Sequence, residues 1–63
     1  MLSPKEYITL CSKDNFFRMG CLAATNPSEM KEKKPLMWSE GEWALYVLGA
    51  RETKLIFGDP KNE

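Results

Sequence analysis

The sequence predicts a small α+β domain, with two or three short N-terminal helices followed by a three-stranded antiparallel β-meander. Three observations predict it. Helix-cap signatures stand at Ser3 and Asn26, before residue 34. After Pro35 the texture shifts to runs rich in Trp, Tyr, Val and Ile, separated by glycine-bearing turns. Within Trp43–Leu48 the apolar residues are consecutive and mark no helical stripe. The 63 residues make a single domain. Its helical part covers about 3–34, its meander about 35–58, and 59–63 read as a frayed tail.

The first helix is read over about 4–13. Ser3-Pro4-Lys5-Glu6 sets a hydroxyl at the N-cap, proline at the first helical position and glutamate at the third. Behind it Tyr7, Ile8, Leu10 and Cys11 share one side of a 3.6-residue period. Asp14 or Asn15 can cap a second segment, Phe16 to Ala24, in which Phe16, Met19, Gly20 and Ala23 share a face. Asn26-Pro27-Ser28-Glu29 repeats the capping grammar, and Pro35 closes a short helix whose last turn holds Lys31, Lys33 and Lys34.

The meander is read as Leu36-Met37-Trp38, a turn at 39–42, Trp43–Leu48, a turn at 49–53, and Lys54–Phe57. The rival is all-α, because Ser39-x-x-Glu42 is also a capping box and 40–51 would then be helical. Strands are preferred on three grounds. Gly41 would sit in that helix's first turn, Trp, Tyr and Val favour extended backbone, and the apolar residues would surround a helix. Residues 3–20 and 39–58 share a faint Ser-x-x-Glu-aromatic likeness, too loose for a repeat.

A sheet of this composition is apolar on both faces. Trp43, Leu45 and Val47 alternate with Ala44, Tyr46 and Leu48. Short helices cover one face, and the other, or the open edge at Lys54–Phe57, is left for a partner. The function expected is therefore a protein-binding module: an adaptor, inhibitor or accessory subunit that also self-associates as a homodimer. The partner-binding residues expected are Trp38, Trp43, Tyr46, Lys54, Ile56 and Phe57.

Enzymatic chemistry finds little support. The chain has no histidine, so the commonest general base and metal ligand is missing. Glycines at 20, 41, 49 and 58 form no phosphate-cradling motif, and Glu40 with Glu42 reads as a solvated turn tip. Neither an enzyme, a cofactor nor a small-molecule substrate is expected. Cys11 and Cys21 are read as small buried hydrophobes, with a single disulfide or a zinc site shared across a dimer as the alternatives.

Nine basic and nine acidic residues cancel, which argues against a polybasic nucleic-acid coat. The halves differ: up to Lys34 there are six basic and four acidic residues, and from Pro35 three basic and five acidic. Helices followed by a hairpin is also the order of a winged helix. A small DNA-binding regulator contacting DNA through Lys31, Lys33, Lys34, Arg51 and Lys54 is accordingly the alternative function. Charged residues interrupt every apolar run well short of a membrane span or a signal peptide, so a cytoplasmic protein without membrane contact is expected.

Overall fold

The Ser3 hydroxyl accepts the Glu6 N–H at 3.2 Å while the Glu6 carboxylate accepts the Ser3 N–H at 3.1 Å. This reciprocal cap opens helix α1, Pro4–Lys13, as the sequence predicts. The structure is a computed structural model and describes residues 2–58. The frayed tail expected at 59–63 lies outside them.

Asp14 serves two helices. Its extended backbone (φ −114°, ψ 118°) ends α1, and its N–H donates to Leu10 O. Its carboxylate then accepts the Phe17 N–H at 2.8 Å and so caps α2, Asn15–Thr25. Arg18 reaches back from α2 and donates to the carbonyls of Cys11 (2.8 Å) and Ser12 (2.9 Å). Those carbonyls belong to the last turn of α1, where no intrahelical donor exists.

The helix expected after Asn26 is only one 3-10 turn, Pro27–Glu29. Asn26 does not cap it, because its side chain is engaged elsewhere. The amide Nδ2 donates to the Glu29 carboxylate, and Oδ1 accepts from the Ser28 hydroxyl. Met30 is already extended, and Lys31–Lys34 are not helical.

The β-meander is not formed. Residues Glu40–Phe57 are a single 18-residue helix, α3, and no strand occurs among the described residues. The α+β expectation is thus corrected to the all-α alternative, with a helix longer than the 40–51 considered. The segment 36–38 is a turn in which the Trp38 N–H donates to Pro35 O, and the two remaining strands and the turn between them are successive turns of α3.

Each reason for preferring strands fails for a physical cause. Gly41 costs little in an exposed first turn, and Ser39 and Glu42 satisfy the backbone there in a complete capping box. Strand propensity of Trp, Tyr and Val yields to burial, since Tyr46, Gly49, Ala50 and Thr53 form an inward stripe at helical spacing. The apolar residues do surround the helix, and the surplus is simply left outside: Val47, Leu55, Ile56 and Phe57 are all exposed. Gly58, at φ 84°, ends α3 in a conformation that side chains disfavour, and its N–H donates to Lys54 O.

The core lies between α2 and α3, built from Phe17, Cys21, Ala23, Ala24, Tyr46 and Ala50. Two glycines set their spacing. A methyl group on Gly20 would lie 2.0 Å from Tyr46 O, and one on Gly49 would lie 2.2 Å from Phe17 O. The two helices therefore cross with backbone against backbone, and each glycine admits the other helix's carbonyl. Helix α1 is held more lightly, with no buried residue of its own. It docks through Tyr7, whose hydroxyl pairs with Thr53 Oγ1 at 2.7 Å and whose ring meets Phe17 edge-on at 5.7 Å. Just ahead of α1, the Leu2 N–H donates to the buried Glu52 carboxylate at 2.9 Å.

Candidate interaction groove on the third helix

Once 40–57 coils, residues four apart along α3 line up. Trp43, Val47 and Leu55 fall on one flank, with Arg51 and Lys54 beside them, and Met30 and Lys31 form the opposite wall of an open groove of about 420 Å³. Tyr46 and Ala50 make its floor. The lining is chiefly apolar. Among the described residues its charged lining, Lys31, Arg51 and Lys54, is all cationic, and no carboxylate lines it.

The wall containing Met30 and Lys31 has no helix to hold it, so Tyr46 does that work from below. The phenol accepts the Lys31 N–H at 3.0 Å and donates to Met30 Sδ at 3.7 Å. Tyr46 itself is 2% exposed and stacks on Trp43 (5.3 Å, 15°). Trp38 meets Tyr46 at 5.5 Å and Phe16 at 4.8 Å, both edge-on, and Lys31 Nζ lies 5.9 Å from the Trp38 ring. The Lys34 ammonium donates to Trp38 O at 3.1 Å and closes the loop behind this cluster.

The six residues expected to bind a partner are divided by this arrangement. Trp43 and Lys54 line the groove and Tyr46 underlies it, whereas Trp38 is half-buried in the aromatic cluster. Ile56 and Phe57 are exposed on the last turn of α3, on no strand edge. Among the five basic residues of the alternative, Lys31, Arg51 and Lys54 converge on the groove. Lys34 is turned to Trp38 O, and Lys33 is exposed in the loop. The hairpin of a winged helix is absent from the described residues. Val47, Leu55 and Met30 were not singled out by sequence reasoning. The signal for Val47 and Leu55, a 43-47-51-54/55 stripe, exists only in a helical reading of this segment, and Met30 lies outside it.

A second cluster lies away from the groove, where α1 meets α2. Cys11 and Cys21 are both free, with their sulfurs 3.3 Å apart. Burial pushes the Cys11 thiol up, and its hydrogen bond with Cys21 adds to the rise, while Arg18 opposes it. Tyr7 joins this cluster. Its phenol is pushed up to about 12, chiefly by burial, against the lowering effect of its bond to Thr53.

Among the described residues no three His, Cys, Asp or Glu side chains gather to hold a metal ion, and no helix is long and apolar enough to cross a membrane. Comparison of the chain with family models, with curated proteins and with solved structures finds no match.

Proposed function

We propose that this chain is a protein-binding module whose α3 groove takes an apolar segment carrying carboxylates from another protein. One observation carries the reading: the groove is apolar along Trp43, Val47 and Leu55, yet its charged lining among the described residues is purely cationic. An amphipathic helix with acidic residues beside its apolar stripe matches both features, the stripe filling the groove and the carboxylates meeting Lys31, Arg51 and Lys54. The docking surface is thus a helix groove, in place of the sheet face or strand edge expected from sequence. A binding role as adaptor, inhibitor or accessory subunit needs no catalytic group, and we read the chain as a non-enzyme. The setting we infer is the cytosol, where Cys11 and Cys21 rest as free thiols.

The test uses two synthetic helical peptides with the same leucine stripe, one bearing glutamates beside it and one bearing lysines. Binding is followed by the tryptophan fluorescence of the protein. The acidic peptide is expected to bind, and the Arg51→Glu, Lys54→Glu double variant to weaken it about tenfold or more. Val47→Glu, at an exposed position, should weaken it without unfolding the chain. Equal binding of both peptides, or of neither, would overturn the proposal. A salt-sensitive complex with duplex DNA that needs Arg51 and Lys54 would replace it with the nucleic-acid reading. A homodimer that occludes the groove in sedimentation would replace it with self-association.

A further inference from the structure

We infer that Cys11 and Cys21 form a dithiol modification site that a small-molecule disulfide of the glutathione class converts to an intramolecular disulfide, clipping α1 to α2. The geometry is already assembled. The two sulfurs stand 3.3 Å apart and need close by only about 1.2 Å to reach disulfide bond length. Their approach is set by the fold on both sides. Asp14 reverses the chain between the helices, and Arg18 binds the carbonyls of Cys11 and Ser12, which fixes the end of α1 over α2.

The two thiols differ in access, and this sets the order of events. Cys11 is half-buried at the surface of α1, whereas Cys21 is 8% exposed within the α2–α3 core. The Cys11 thiol loses its proton to water, and its thiolate attacks one sulfur of the small disulfide. That S–S bond breaks, and one thiolate leaves and takes up a proton. Cys21 then loses its proton, attacks the Cys11 sulfur of the mixed disulfide and expels the second thiol. Two protein thiols are oxidised and one small disulfide is reduced to two thiols, so atoms and electrons balance. Burial keeps Cys11 protonated at neutral pH, so the site is slow at rest. The clip acts on a helix that buries no residue of its own.

The experiment treats the full chain with oxidised glutathione and reads its intact mass and its tryptic map without reduction. The mass should fall by two hydrogens, and peptide 6–13 should become joined to peptide 19–31 at a rate independent of protein concentration. Hydrogen exchange in α1 should slow on oxidation and recover on reduction. Cys21→Ser should trap a glutathione adduct on Cys11, and Cys11→Ser should leave Cys21 unmodified in the folded protein. Two free thiols persisting in the treated wild type, a stable glutathione adduct on it, or links formed only between chains would each overturn the proposal. So would an unmodified Cys11 in the Cys21→Ser variant.

Discussion

Replacing Gly20 by alanine tests the feature on which the whole fold turns. The added methyl would lie 2.0 Å from Tyr46 O, 2.9 Å from Ala50 N and 2.9 Å from Tyr46 C, all backbone atoms that no rotamer change can move. An ordinary contact to that oxygen requires about 3.4 Å, so α2 and α3 must separate locally by more than 1 Å. A gap of that size forfeits a large part of the dispersion energy across the seam holding Phe17, Ala23, Ala24 and Ala50. Overpacking costs about 1–3 kcal/mol, and a rigid backbone obstacle puts this site at the upper end. Alanine's better helix propensity returns about 1 kcal/mol. The net loss is about 2 kcal/mol, against a total stability on the order of 3–9 kcal/mol for a chain of this size. Thermal melting followed by circular dichroism should show Tm lowered by about 8–16 °C. Gly49→Ala, facing Phe17 O at 2.2 Å, should behave alike, and the double variant should cost less than the two singles together because one separation relieves both. Gly41→Ala is the control, with nothing closer than 3.9 Å, and should stabilise by up to about 1 kcal/mol. The reasoning is refuted if Gly20→Ala melts at or above the wild-type temperature, as Gly41→Ala should.

Two further outcomes follow from single contacts. Ser39→Ala removes the hydroxyl that accepts the Glu42 N–H and should lower stability by about 1 kcal/mol in urea denaturation, with m unchanged. Tyr7 contributes to alkaline stability. Its phenol titrates near 10.0 when unfolded and about 12 when folded, so the folded chain holds that proton more tightly. Its contribution is complete below pH 10 and is lost as pH rises through 12. Tyr7→Phe should therefore flatten the fall in stability between those pH values, and equal slopes in the two proteins would contradict the assignment.

The outcome at 40–57 shows where sequence reasoning stops. The cap at Ser39 is legible in the sequence, and its chemistry is the same as that of Ser3, which opens α1. What misled was the ring of apolar residues from Trp43 to Leu48, read as a two-faced sheet. A helix tolerates that ring here because Tyr46 and Ala50 bury against α2, Trp43 stacks on Tyr46, and Val47 stays outside. Burial, decided by what lies opposite, outweighed a propensity spanning only about 1 kcal/mol. Asn26 erred in the other direction: its capping grammar was intact, but Ser28 and Glu29 occupied its side chain.

Local chemistry along the chain determined the helix starts at Ser3 and Asp14, since each cap needs only a side-chain oxygen and an N–H three residues on. The absence of histidine and the balanced charge were legible in the same way. Only tertiary structure decided that Gly20 would face Tyr46 O and Gly49 would face Phe17 O, that Cys11 would meet Cys21, and that Lys31 would line one groove with Arg51 and Lys54. Those pairings depend on how whole helices cross. A crossing is selected by the closest approach of two backbones, which no residue specifies alone.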